Sequence, residues 1–213
     1  MDDLINDKQS AASDKEEFTL SPSPRRPFSP SINLVWTRES SEEIADCRVF
    51  KVRRDMSTDP RDGRAHDFYV IEAPDWINVL PLTEDGRVVL IEQYRHGTGE
   101  VSLEIPGGMV DAGESPRDAA ARELLEETGY EASEVTFLGK TRPNPAIQDN
   151  WIHTFVARGL RYRGEPSNAG TEQTVVRLVP LDRIPSLIEE GKITHSLVVV
   201  GFHMLGLKGV ANA

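Results

Sequence analysis

The chain has 213 residues, 38% of them apolar, and a formal net charge of −11. That length suits one domain of ordinary size with some chain left over at an end, and the apolar share is thin for a chain packed throughout. The negative charge argues against a general DNA or RNA binder, but not against a small phosphate compound, because bound cations reverse the sign of a local site.

In chain order, residues 1–31 read as a disordered tail. They are rich in Asp, Lys, Ser and Pro, and Ser21-Pro22-Ser23-Pro24-Arg25-Arg26-Pro27 cannot form a regular ladder. The tail is acidic at its start and has no apolar run of signal-peptide length. A small N-terminal β region is expected over 32–75. Strand signals begin near Leu34, continue over 47–54 and 68–71, and are separated by the turn Asp59-Pro60-Arg61-Asp62-Gly63. Cys47 is the one cysteine, so no intrachain disulfide is possible, and a reducing, cytoplasmic setting is expected.

The main domain is expected over 76–208. Strands over 76–82 and 87–94 are joined by Glu84-Asp85-Gly86, with Gly86 supplying a positive φ. A short strand over 102–105 runs into Pro106-Gly107-Gly108. A helix then starts at the N-cap Ser115, takes Pro116 as its first residue, and ends at Thr128 before Gly129. Strands over 135–138, 151–157 and 175–179 and helices over 182–190 and 194–207 complete the pattern. It reads as an α/β fold, a mixed sheet with helices on its faces. The most apolar segment, 197–207, is too short for a membrane span of roughly 18 residues and contains Gly201 and His203. No membrane partner is expected.

The informative helix is 115–128. Glu123, Glu126 and Glu127 stand at i, i+3 and i+4, so they are neighbours on one face. Ala119 and Ala120 share that face and are expected to leave it open, with Ala121, Leu124 and Leu125 packing into the core. Clustered carboxylates are either a solvated charged face or the oxygen ligands that Mg²⁺ and Mn²⁺ prefer. The approach through Gly107 and Gly108, whose backbone can come close to a ligand, favours the metal-phosphate reading.

Gly108, Glu114, Arg122, Glu123, Leu124, Glu126, Glu127 and Gly129 stand in the spacing G-x5-E-x7-R-E-U-x-E-E-x-G-U. This resembles the Nudix box, with Tyr130 departing from the usual aliphatic residue at the last position. The resemblance implies an α/β/α sandwich around a mixed sheet and metal-dependent diphosphate hydrolysis. Glu123 and Glu127, with the carbonyl of Gly107, would be metal ligands, for Mg²⁺ or alternatively Mn²⁺, and Glu126 a further ligand or a supporting catalytic carboxylate. Arg122 and Glu114 would orient the acids.

The flanks Gln93-Tyr94-Arg95, Glu104-Ile105-Pro106, Ala73-Pro74-Asp75-Trp76 and Asn144 to Asn150 are similar to the ADP-ribose pyrophosphatase and nucleoside-diphosphate-sugar branch. By that similarity Arg95 contacts a substrate phosphate and the protein is a homodimer; Trp76 reads as a base-stacking or a core residue, and Asn144, Gln148 and Asn150 read as contacts to a sugar or base edge or as organisers of a polar loop. A general base is expected on the loop 163–173, where Glu172 is preferred to Glu165. The small-molecule substrate would be ADP-ribose or a related nucleoside-diphosphate sugar. The alternatives are a Nudix hydrolase for nucleotides, dinucleotides or capped RNA, and a non-catalytic Nudix ligand-binding module. His96 and His153 read as ordinary hydrogen-bonded histidines.

Overall fold

Alternating apolar residues along two adjacent strands set the layers of the fold. In the computed structural model the described residues are 34–168, 172–207 and 209. The expected tail 1–31, Gly170 of the expected catalytic loop, and residues 32, 33 and 208 of the expected segments lie outside them.

The described residues form β1 (Thr37–Asp46), β2 (Lys51–Thr58), β3 (Ala65–Glu72), β4 (Trp76–Pro81), β5 (Arg87–Arg95), β6 (Glu100–Glu104) and β7 (Gly107–Met109). Then follow α1 (Pro116–Thr128), β8 (Tyr130–Thr141), β9 (Ile152–Tyr162), β10 (Thr174–Pro180), α2 (Ile184–Glu189) and α3 (Ser196–Leu207). β7, β4, β9 and β8 make a mixed sheet in that order, in which β4 and β9 run parallel. β10, β5 and β6 form a second, antiparallel sheet.

Ile77 and Val79 of β4 and Phe155 and Ala157 of β9 pack with Ala119, Ala120 and Leu124 of α1. Leu80 and Val156, one residue out of phase, pack with Val198 and Leu205 of α3 and Ile184 of α2. Period-two alternation therefore buries both faces of one sheet, and helices cover each. This is the expected α/β/α sandwich. No helix among the described residues is long and apolar enough to cross a membrane.

α1 begins and ends where its capping residues require. The Ser115 hydroxyl accepts the Asp118 N–H at 3.2 Å, and Gly129 takes the left-handed conformation at φ 73° while its N–H reaches the Leu125 carbonyl at 2.8 Å. The buried side of α1 differs from the sequence expectation. Ala119 and Ala120 are fully buried, whereas Ala121 and Leu125 face solvent. The small alanines let the helix settle close onto β4 and β9, and that carries Glu123 and Glu127 inward.

β1, β2 and β3 form an antiparallel sheet. β2 starts at Lys51 instead of the expected 47, because 47–50 is a turn: Cys47 N–H meets the Phe50 carbonyl at 2.9 Å and Arg48 adopts φ 69°. This sheet is tied to the loop before β9. Ile71 N–H donates to the Ile147 carbonyl at 2.7 Å, and Arg53 reaches Glu72 at 2.5 Å and Asp149 at 2.9 Å.

Asp55, 6% exposed, accepts from the Ser41 hydroxyl at 2.6 Å and from Arg53 Nε at 3.0 Å. Burial works against its charge, but these hydrogen bonds and the Arg53 and Arg38 cations outweigh it and hold the carboxyl below its ordinary value. A lowered folded-state pKa stabilises the fold above the unfolded value of about 3.9 and ceases to do so as pH falls through the folded value. Asp55→Asn should therefore lower Tm at pH 7, with the gap to wild type narrowing as pH drops below about 4. A gap independent of pH would show that the carboxylate charge contributes nothing.

Candidate active site

Glycine at 107 is a steric requirement of the site, and glycine at 108 leaves room for the Glu123 carboxylate. β7 lies antiparallel to β4, with Ile77 opposite Gly108 and Asn78 opposite Gly107. A Cβ on Gly107 would meet the Ile77 carbonyl, and one on Gly108 would collide with the Glu123 carboxylate. The two glycines thus let a backbone strand lie directly against the acids of α1. The Gly107 N–H donates to Glu127 Oε2 at 2.9 Å.

Arg122 organises the acidic helix. Its guanidinium pairs with Glu114 at 3.0 Å through both Nε and Nη2, with Glu123 at 2.8 Å and with Glu126 at 3.2 Å, and it donates to the Met109 carbonyl at 3.1 Å. Arg122 is held firmly charged by these carboxylates, and its hydrogen bonds keep the Glu114 carboxyl below its usual range. One side chain so binds the loop before α1, the edge of β7 and two acids of the helix.

Glu127 is 2% exposed and Glu123 is 9% exposed. Burial pushes the Glu127 carboxyl up to about 8; the Gly107 N–H and Arg95 oppose the rise, while Glu123 and Glu172 add to it. Burial also raises Glu123, against the pull of Arg122 and with repulsion from Glu126 and Glu172. These acids are therefore packed inside an inner wall, not displayed on the open face that the sequence suggested.

The wall belongs to a cavity of about 840 Å³. Glu123, Glu126, Arg122, Gly107, Arg95, Trp76 and Glu172 all line it, and Glu127 adjoins it through Gly107. Arg95 makes a two-point ion pair with the buried Glu104, at 2.8 and 2.6 Å. Asn144 is not among the lining residues: it is exposed, and its carbonyl closes a turn with the N–H groups of Ile147 and Gln148. Gln148 of the same loop does line the cavity. Glu165 stands apart from it, bonded by the Tyr162 hydroxyl at 3.1 Å.

The segment carrying Glu172 is fastened to the end of α1. Ser167 N–H donates to the Glu126 carbonyl, and the Thr174 hydroxyl donates to the Glu127 carbonyl, each at 2.8 Å. The helix's unpaired carbonyls thereby anchor the chain on either side of Glu172. Of the histidines considered from sequence, His153 bonds Asp75 at 2.9 Å as an ordinary hydrogen-bonded residue, whereas His96 is exposed and meets Tyr94 edge-on.

Gln93, Asn78, Glu104 and His195 also line the cavity and carry no expected role from sequence. For Gln93 and Glu104 a signal existed: each is a polar residue at an inward position of a strand.

Among the described residues, no three His, Cys, Asp or Glu side chains already converge as a ligand set for a metal ion. Glu123 is engaged by Arg122, and Glu127 by Gly107. The donor chemistry nevertheless fits a hard divalent cation: mutually repelling carboxylates, two of them buried, share one wall. Glu123, Glu126 and Glu127 are the side chains that would turn to hold it.

The comparisons with known proteins agree with this geometry. The NUDIX domain family matches residues 73–198. A methanol dehydrogenase activator of Bacillus methanolicus is 31% identical over 169 residues, 79% of this chain and 91% of that protein. An ADP-ribose pyrophosphatase of Bacillus subtilis (strain 168) is 29% identical over 153 residues, 71% and 83% respectively. The crystal structure of an ADP compounds hydrolase superposes with a TM-score of 0.74 at 26% identity, covering 84% of this chain and 97% of that one. The match over most of the folded chain, together with the Gly-Gly strand laid against the acids of α1, shows that this protein is an enzyme of the Nudix hydrolase family, in its ADP-ribose pyrophosphatase branch.

Proposed function

We propose that the protein hydrolyses the diphosphate linkage of ADP-ribose or a related nucleoside-diphosphate sugar, giving a nucleoside monophosphate and a sugar phosphate. The observation that carries this reading is one cavity that joins the acidic wall to an arginine and an apolar surface. Glu123, Glu126 and Glu172 stand with Arg95, Trp76 and Ile152 around about 840 Å³. That volume lies within the range of sites for ligands of this size.

In this reading Glu123, Glu126 and Glu127 hold a divalent cation, Mg²⁺ or Mn²⁺. Such an ion, when bound, neutralises the diphosphate and lowers the pKa of a coordinated water. Arg122 fixes the acids so that they need not reorganise during the reaction, a supporting role that metal sites require. Arg95, kept in place by Glu104, binds a phosphate oxygen. Trp76 stacks on the base. Glu172 lines the cavity without a hydrogen bond to Arg122, which leaves it available to take the proton from the attacking water. A homodimer belongs to the same reading, supported by exposed Ile44, Phe68 and Tyr69 on the N-terminal sheet and Trp36 just before it.

The direct test is a panel of diphosphate sugars, dinucleotides and nucleoside triphosphates assayed with Mg²⁺, with products identified. ADP-ribose or another diphosphate sugar should be the preferred class. A clear preference for triphosphates would overturn the branch-level substrate assignment.

Glu127→Gln should lower kcat by about 10²-fold or more, because a ligating charge is lost. The fold should survive, since the amide oxygen can still accept the Gly107 N–H. Normal turnover with Mg²⁺ would remove Glu127 from the metal site.

Glu172→Gln should lower kcat by about 10²- to 10⁴-fold with little change in KM, while Glu165→Gln should be mild. The reverse pattern would exchange their roles, and full activity in both variants would return the base to the acids of α1.

A further inference from the structure

Two polar side chains face the cavity without any part in the chemistry above. Gln93 lies two residues before Arg95 on β5, so both occupy one face of the strand. It is 8% exposed, and its Oε1 is buried with no hydrogen-bond partner among the described residues. The hydroxyls in register with it on both neighbouring strands are engaged elsewhere: Thr174 with the Glu127 carbonyl and Asn168, and Ser102 with Glu104. A buried amide oxygen left unpaired in a ligand-sized cavity calls for a partner from outside the protein.

His195 stands at the start of α3 and lines the same cavity. The Leu197 backbone N–H approaches its Nδ1 at 3.2 Å. A backbone N–H can only donate, so Nδ1 is the bare nitrogen of the neutral ring and Nε2 carries the hydrogen. That far nitrogen has no second hydrogen bond among the described residues. The ring lines the cavity together with Glu104, Arg95 and Gln93.

We infer that Gln93 and His195 form a subsite for the hydroxyl groups of a sugar; this rests on the diphosphate-sugar reading above. The pairing of chemistries is selective. Gln93 Oε1 offers an acceptor and His195 Nε2–H a donor. A phosphate oxygen only accepts, so it could take an amide N–H of Gln93 but would leave Oε1 without a donor. A hydroxyl both donates and accepts, and two neighbouring hydroxyls satisfy both side chains at once. The subsite therefore selects a diol-bearing group over a bare phosphate or an alkyl group.

The test compares ADP-ribose with two analogues that each lack one sugar's diol: the methyl ester of ADP and the ADP-ribose whose adenosine is 2′,3′-dideoxy. The readout is the ratio of kcat/KM for ADP-ribose to that for each analogue, in wild type, His195→Asn and Gln93→Met. Asparagine retains a side-chain acceptor for the start of α3 but cannot reach as far, and methionine keeps the volume of Gln93 without its acceptor. A ratio does not depend on the folded fraction, so partial misfolding cannot imitate the effect. In wild type at least one ratio should be large, and in both variants that same ratio should fall by about tenfold, the size expected for one lost hydrogen bond. Ratios unchanged in both variants would overturn the subsite while leaving diphosphate hydrolysis in place. A wild-type protein that cleaves none of the three compounds would overturn the diphosphate reading itself.

Discussion

The structure depends on holding two carboxylates of like charge inside a packed wall. Glu123 and Glu127 are buried on α1, and burial pushes both toward the neutral form. An arrangement of this kind costs stability unless something opposes the repulsion. Arg122 does so in part by pairing with Glu114, Glu123 and Glu126 together, and the Gly107 N–H does so for Glu127. The remaining mismatch is what a divalent cation would offset, and it explains why so many local features converge here. Glycines at 107 and 108 admit the strand, alanines at 119 and 120 bring the helix onto the sheet, and Ser167 and Thr174 cap the helix end.

The rest of the fold positions partners around that wall. β5 and β6 set Arg95 against Glu104, so its guanidinium is held on the cavity wall without pairing with the acids of α1. The turn between β1 and β2 adds Val49 and Phe50 to the cavity and β3 adds Ile71, and Arg53 clamps the N-terminal sheet to the loop that supplies Gln148. The cavity is therefore assembled from segments that are far apart in sequence, and the acidic helix supplies only one side of it.

The acidic helix was the most legible part of the sequence. Its cap residues Ser115 and Gly129, the spacing of its glutamates and the preceding glycines each leave a local mark, and the sandwich follows from period-two alternation in β4 and β9. What was missed has physical reasons. β1 is polar and charged on both faces, so it carries no alternation. β7 is three residues long, two of them glycine, and exists only because β4 supplies its partners. A helical wheel shows which residues share a face but not which face is buried, so Ala121 and Leu125 were expected in the core and the acids outside. Gln93 and His195 acquire meaning only through the partners they lack or hold in three dimensions, and Asn144 reads like a ligand in sequence but sits on an exposed turn.

The central claim is that the buried acids of α1 form one divalent-cation site. It is tested most directly by titrating the protein with Mn²⁺ and following the free ion by electron paramagnetic resonance, in wild type and in a Glu123→Gln, Glu127→Gln double variant whose fold is checked by circular dichroism. The account predicts saturable Mn²⁺ binding by wild type that competes with Mg²⁺ and is lost in the folded double variant. Equal binding by the two proteins, or none by wild type in the presence of a diphosphate sugar, would contradict it.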